Sequence, residues 1–305
     1  MIRTKNILNE TPPDAILCGD IHLRQDIPVC RTDDFESAQW DKLYYIKGLQ
    51  KVYQCPVIHS GDLFNHWKPS PYLLSKAMEY LPGRFYTIYG NHDLPQHNLD
   101  EADKCGIYAL ERAGKLTVLP GVHWGQNPDN ARNRPSICIQ CGINSTDSRQ
   151  ILVYHTMTYQ MKSPWPGIKV TKAGGLLRKY PEYDLILTGH NHQPFVEEHD
   201  DRLLVNPGSM MRQEADQIDF KPRVYLYYAK ENRVQAVYIP ISGSAVTRGH
   251  IERKEERENR IGAFIDKLDG DWSAGMSFEN NLEEFFQVNK VRTSVKDIVY
   301  KAIES

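Results

Sequence analysis

Short apolar runs rich in β-branched and aromatic residues recur at 14–18, 56–59, 84–89, 136–143, 150–154 and 183–187. Runs of this length predict buried strands. Between the early ones the period changes. Residues 35–53 place Trp40, Leu43, Tyr44, Leu49 and Val52 at mixed three- and four-residue spacings, and residues 71–81 open on a proline, so both stretches predict helices. Strand alternating with helix predicts an α/β sheet. After Gln193 the pattern is strand alone, at 194–199, 202–205, 224–228 and 234–239, which predicts an antiparallel or mixed second half. From about Ser242 the chain turns to a charged run at 250–260 and amphipathic stretches at 279–288 and 294–303. A boundary is therefore expected near 242–248, dividing a domain at 1–241 from a small helical segment at 242–305. There is no internal repeat and no low-complexity tract.

Composition narrows the class. Hydrophobic residues are 40% and charged residues 25% of the chain, and no apolar run approaches the length of a membrane span, so no membrane partner is expected. The N-terminal residues lack the apolar core of a secretory signal, and the six cysteines are scattered. A cytoplasmic protein is expected, of bacterial origin or of a virus in its host's cytoplasm. Cys138 and Cys141 have the spacing of a zinc or redox pair, but they stand alone in a strand-like stretch and are read as structural. The net charge is −2, so any nucleic-acid contact must come from a local basic patch.

Five motifs follow predicted strands in order: Asp20-Ile21-His22, Gly61-Asp62-Leu63-Phe64, Gly90-Asn91-His92-Asp93, Tyr154-His155-Thr156 and Gly189-His190-Asn191-His192. One such motif alone is commonly accidental; five in order are not. Loops at strand carboxyl ends form the crevice of open α/β sheets, so one site can use all five. Carboxylate, imidazole and side-chain amide without thiolate suit manganese, iron or zinc on mixed oxygen and nitrogen ligands. Two metals roughly 3.5–4 Å apart need a ligand that touches both. A carboxylate does this readily, and Asp62 is the expected bridge.

The ordered set resembles the calcineurin-like metallophosphoesterase superfamily over residues 14–241. The resemblance implies a four-layer αββα sandwich of two mixed β-sheets flanked by helices. It implies one metal on Asp20, His22, Asp62 and His192, and a second on Asp62, Asn91, His155 and His190. Manganese is the first expectation, with magnesium, iron(II) or zinc as alternatives. His92 would sit over the scissile phosphate, oriented by Asp93. Two cations would acidify a shared water and neutralise phosphate oxygens, while His92 positions the phosphate or protonates the leaving oxygen.

Substrate is argued from the text around these residues. Asp62-Leu63-Phe64 with Lys68-Pro69-Ser70, Gly90-Asn91-His92-Asp93-Leu94-Pro95 and Asn206-Pro207-Gly208-Ser209 resemble the SbcD-like nucleases, the double-strand-break repair branch. The expected activity is DNA exonuclease or endonuclease action in repair, recombination or replication. That branch usually carries histidine directly after Asp-Leu-Phe, where this chain has Asn65 followed by His66; either His66 substitutes through a one-residue shift, or exonuclease action is weaker or differently directed and endonuclease or general phosphodiesterase action gains weight. The stretch 156–181 holds Lys162, Lys169, Lys172, Arg178 and Lys179 without an acidic residue, and it begins beside His155. It reads as a basic loop at the mouth of the site, with Tyr159 and Trp165 available to stack on unpaired bases. A small-substrate phosphodiesterase or protein phosphatase is the rival enzyme, and a non-catalytic binding module is the rival from another class.

SbcD-like nucleases carry, beyond the catalytic fold, a DNA-capping domain and a helical segment that docks on an SbcC-like ABC-type ATPase. The segment 242–305 is short for both, so a reduced cap at 242–275 and a partner-docking face at 277–305 are expected. Phe285, Phe286, Val288, Val291, Val295, Ile298, Val299 and Ile303 would supply that face or pack on the core. Assembly as a homodimer is left open.

Overall fold

The computed structural model describes residues 11–120, 122–127, 129, 136–140, 147–161, 170–243, 245–270 and 278–303, the side chains at 250, 262–270, 278 and 303 excepted. The first half runs β1 (Ala15–Cys18), α1 (Phe35–Tyr53), β2 (Val57–His59), α2 (Pro71–Tyr80), β3 (Phe85–Thr87), α3 (Gly106–Arg112) and β4 (Thr117–Val118). The second runs β5 (Ile137–Gln140), β6 (Ser148–Tyr154), β7 (Thr158–Tyr159), β8 (Thr171–Lys172), α4 (Ala173–Lys179), β9 (Leu185–Thr188), β10 (Phe195–His199), β11 (Arg202–Asn206), β12 (Arg223–Tyr228) and β13 (Arg233–Tyr238). Helices α5 (Gly249–Gly270), α6 (Phe278–Val288) and α7 (Thr293–Ile303) close the chain.

Two mixed sheets form. One has the order β13-β12-β1-β2-β3-β4, parallel from β1 to β4 and antiparallel at β12 and β13. The other has the order β10-β11-β9-β6-β5, with β11, β9 and β6 parallel and the outer strands antiparallel. Period-two alternation assigns the layers. Ala15 and Leu17 of β1 pack between the sheets with Ile151, Val153, Leu185, Leu187, Leu203, Val205, Tyr225 and Tyr227. Ile16 and Cys18, the alternate residues, face Trp40, Leu43 and Ile46 of α1, Leu73 and Ala77 of α2, and Ile107 and Leu110 of α3. On the far side Leu152, Ile186 and Leu204 pack against Leu176 and Leu177 of α4. The result is helix, sheet, sheet, helix. Each fully buried aliphatic side chain in these layers contributes about 1.5–3 kcal/mol.

Local chemistry sets the helix ends. The side chain of Asp34 accepts from the Ser37 amide at 3.0 Å and opens α1, while Gln54, in the left-handed region, ends it. Ser70 caps α2 in the same way, with Pro71 at its first position. The expected strand at 84–89 is shorter, because the backbone after Thr87 turns toward the motif at 90–93. Of the expected strand at 136–143, residues 137–140 are observed and 141–143 lie outside the described residues. Cys138 is exposed on β5, and Cys141 lies outside the described residues.

The chain divides into two compact units, one ending at Thr247 and the other beginning at Arg248. Residues 245–247 belong with the first: the Thr32 amide donates to Ala245 O at 3.2 Å and the Thr247 amide to Cys30 O at 2.8 Å. In the second unit, α6 and α7 pack Leu282, Phe285 and Phe286 against Val291, Val299 and Tyr300, while Val288, Val295 and Ile298 stay exposed. No helix among the described residues is long and apolar enough to cross a membrane.

Candidate functional site

Asp20 and His22 follow β1, Asp62 follows β2, and Asn91, His92 and Asp93 follow β3. His155 follows β6, and His190 and His192 follow β9. These strands are parallel neighbours within their sheets, so their carboxyl ends lie at one edge of each sheet and the two edges meet. Crowding there is severe. A Cβ on Gly90 would lie 2.2 Å from Asp62 Oδ1, and one on Gly189 would lie 2.7 Å from Asp20 Oδ1. His22, Asp62 and His190 have φ of 50°, 57° and 71°, a left-handed backbone costly for non-glycine residues. Such outliers gather at functional sites.

The side chains converge. His22 Nε2 and His192 Nε2 are 3.1 Å apart, His155 Nε2 is 3.2 Å from Asp62 Oδ2, and Asn91 Oδ1 is 2.9 Å from His190 Nδ1 and 3.1 Å from His155 Nε2. Ligating atoms of Asp20, His22 and His192 lie within 4.8 Å of one another, as do those of Asp62, His155 and His190. A third overlapping group joins His22, Asp62 and His92. Asp62 belongs to the second and third of these groups, its Oδ2 lying 3.7 Å from His22 Nε2 and 3.2 Å from His155 Nε2.

The electrostatics fit cations. Burial, reinforced by Asp62, pushes the Asp20 carboxyl up to about 8 and that of Asp93 up to about 7. Burial opposes charge on Asp62 too, yet the imidazoles of His155, His22 and His92 hold it well below the carboxylate range. Burial likewise disfavours charge on His155, but Asp62 and Asp20 push it up to about 9. Burial drives His22 well down, His190 down to about 4, and His192 down, which favours the neutral ring with one nitrogen free to ligate. No described hydrogen bond or ion pair joins these groups to lysine or arginine. The donor set therefore suits divalent ions on oxygen and nitrogen, and these residues could hold two of them.

The structure departs from expectation at Asp93. Its buried carboxylate accepts backbone amides of Asp62 (2.8 Å), Leu63 (3.3 Å), Phe64 (3.1 Å) and Gly90 (3.0 Å), so it braces the turn that presents Asp62. His92 is oriented otherwise: its Nδ1 lies 2.9 Å from the Asn65 carbonyl oxygen, and its amide donates to Asp62 Oδ1 at 2.8 Å. Three of these amides fall on Oδ2 and one on Oδ1, and the described hydrogen bonds place the His92 imidazole on Asn65 O and not on Asp93.

Two residues of the site carry no sequence motif. The indole of Trp124 stacks obliquely on His190 with centroids 4.8 Å apart and meets His155 edge-on at 5.9 Å. His97 Nδ1 lies 2.7 Å from the Asn91 carbonyl oxygen. The only available signal was position, since His123-Trp124 follows β4, the next parallel strand of the first sheet.

The outer residues separate. His66 is exposed, its Nδ1 accepting the Lys68 amide at 3.2 Å and its ring beside Trp67. Lys162, Lys169 and Trp165 lie outside the described residues. Tyr159 is paired with Lys172 across the β7–β8 ladder, which starts three residues after His155. The stretch expected as one basic loop instead contains this ladder and α4. The helix carries Arg178 and Lys179 toward the amino end of β9, away from the site, and Lys179 pairs with Asp129 at 3.1 Å. Those two cations are therefore removed from the mouth.

Fold and site together define a metallophosphoesterase. Residues 14–221 match the calcineurin-like phosphoesterase superfamily domain, and the chain belongs to that superfamily. Among solved structures, a novel archaeal phosphodiesterase is similar at 13% identity, over 74% of this chain and 99% of its own, with a TM-score of 0.40. A protein of Thermus thermophilus is similar at 11% identity, over 75% and 100%, with a TM-score of 0.41. A single mutant of Vps29 from Entamoeba histolytica is similar at 14% identity, over 74% and 99%, with a TM-score of 0.35. No curated protein sequence matches the chain.

Proposed function

We propose that this chain is a DNA nuclease that hydrolyses phosphodiester bonds with two divalent cations, acting as an exonuclease, an endonuclease or both in repair, recombination or replication. The observation that carries the hydrolytic reading is Asp62, whose buried carboxylate is shared by two groups of potential metal ligands and lies 3.7 Å from His22 Nε2 and 3.2 Å from His155 Nε2. Asp20, His22, Asp62 and His192 would hold one cation, and Asp62, Asn91, His155 and His190 the other, with manganese as the proposed metal. Bound there, two cations supply acidified water and neutralise phosphate oxygens. The chain's own residues do the rest. Asn65 O holds His92 through Nδ1 and leaves Nε2 for the substrate, where it orients the phosphate or gives a proton to the leaving oxygen. Asp93 acts through the backbone of Asp62.

DNA is favoured as substrate by the SbcD-like text at 62–70 and by what surrounds it. A cleft of about 320 Å³, lined by Arg24, Asn65, His66, Lys68 and Ser70 among others, adjoins the residue that anchors His92. Tyr159 and Lys172 offer a ring and a cation near His155. The proposal extends to an SbcC-like ABC-type ATPase as partner, docked on the α6–α7 pair through exposed Val288, Val295 and Ile298. The test is incubation of end-labelled single- and double-stranded linear DNA with the full chain and manganese, reading product sizes over time. Cyclic nucleotides and a phosphoprotein serve as rival substrates. Turnover of a rival with intact DNA would overturn the nuclease reading and leave the hydrolase standing.

A further inference from the structure

A second concentration of charge lies on the other side of the segment 209–212 from the imidazole clusters. Three basic side chains, Arg31, Lys42 and Arg212, are each more than nine-tenths buried yet line a cavity of about 380 Å³. Their partners are almost all neutral. Lys42 Nζ donates to Met210 O at 3.0 Å, and Arg212 donates to Ile218 O at 3.0 Å and Ser242 O at 2.6 Å. Arg31 donates to Arg212 O at 2.9 Å and forks onto Asp33 at 2.8 and 2.6 Å. Arg212 Nε is buried without a hydrogen-bond partner.

One forked carboxylate does not balance two buried guanidiniums with a lysine amine beside them. Asp34 and Asp41 also line the cavity, but both stand at solvent, and Asp34 is occupied by the Ser37 amide and hydroxyl. Isolated buried charge is costly unless an opposite charge meets it. The geometry points to a small-oxyanion site in this cavity, floored by Arg31, Lys42 and Arg212 and of the kind that takes inorganic phosphate. The acidic rim repels a long polyanion such as DNA, so the site is distinct in ligand as well as place from the metal centre. Lys42 is consistent with a missing counter-charge: burial, and then Arg31 and Arg212, push its ammonium down to about 7 against the pull of Asp33. The same backbone serves both sites, because Met210 donates its amide to Asp20 O at 2.7 Å while its carbonyl receives Lys42.

Calorimetric titration of inorganic phosphate into the full chain, at matched ionic strength, tests this with manganese loaded and again after chelation. Chelation removes the cations that would hold phosphate at the metal centre. The expected result is one phosphate site that survives chelation and weakens by about tenfold in Lys42→Met and in Arg31→Gln, the scale of one charge-assisted hydrogen bond. Two variants are used so that a fold defect in either, visible by circular dichroism, leaves the other decisive. Loss of all phosphate binding on chelation, or unchanged affinity in a folded variant, would overturn the assignment.

Discussion

The Nδ1 atom of His92 lies 2.9 Å from the main-chain carbonyl oxygen of Asn65. The contact does not depend on the side chain at 65. Asn65→Ala is therefore expected to keep hydrolysis of bis-p-nitrophenyl phosphate within about twofold, whereas His92→Gln loses roughly 10²–10⁴ in turnover, the range of a general acid. Both variants should retain their metals by elemental analysis. A large loss in Asn65→Ala would show that the asparagine side chain itself takes part.

Asp62 presents one oxygen to the His92 amide and the other to the imidazoles of His155 and His22. Asp62→Asn keeps the shape but removes the charge, and an amide does not bridge two cations well. Activity should fall by more than about 10³-fold and metal content should drop, by analogy with the loss of a ligand and its support. An active, fully loaded Asp62→Asn protein would remove Asp62 from the bridging role.

Cation uptake should release protons. With Asp20 at about 8 and His155 at about 9, both are largely protonated in the metal-free chain at pH 7, and ligation needs them bare. Calorimetry in buffers of different ionisation enthalpy should show roughly two protons leaving at pH 7, with affinity rising up to about pH 9. Both folded values are raised. The stability these groups lend the metal-free chain is thus present below their unfolded values and lost as pH rises through about 8 and about 9. Uptake without proton release would contradict the placement of these protons.

Lys172, exposed beside Tyr159, is the described cation best placed to meet a strand leaving His155. Lys172→Ala should weaken DNA binding and lower the salt slope by roughly one, leaving a small diester untouched. Filter binding over a salt series reads it. Equal losses on both substrates would indicate a damaged site instead.

Helices α6 and α7 carry their own apolar cluster, so removal of residues 277–305 tests whether they serve the catalytic fold or a partner. The truncated chain should hydrolyse a small diester at the full rate and no longer co-purify with an ABC-type ATPase. Insoluble product would assign these helices to the stability of the chain.

Much of this arrangement was legible in sequence because it is repetitive. The helix at 35–53 shows a clear apolar period and is observed with those bounds; the five motifs lie at strand ends because strands this short leave little room for error. Strands of two residues and helices of seven were not legible: β4, β7, β8, α3 and α4 lack the length for a period to show. Trp124 and His97 escaped for a related reason, as their loops carry no alternation to mark them. The contacts of Asp93 were not legible either, because adjacency in sequence to His92 says nothing about which amides surround its carboxylate.

The proposed ligands come from both halves of the sandwich: Asp20, His22, Asp62 and Asn91 from one sheet, His155, His190 and His192 from the other. Ions bound there would rivet the two layers together at one end, where the apolar filling between them gives way to polar side chains. Amide exchange at residues just beyond β3 and β9 should then slow on metal loading, while the opposite end, around Asp184 and Asn232, keeps its rate. The catalytic centre would double as the fastener that decides how readily this edge of the protein opens.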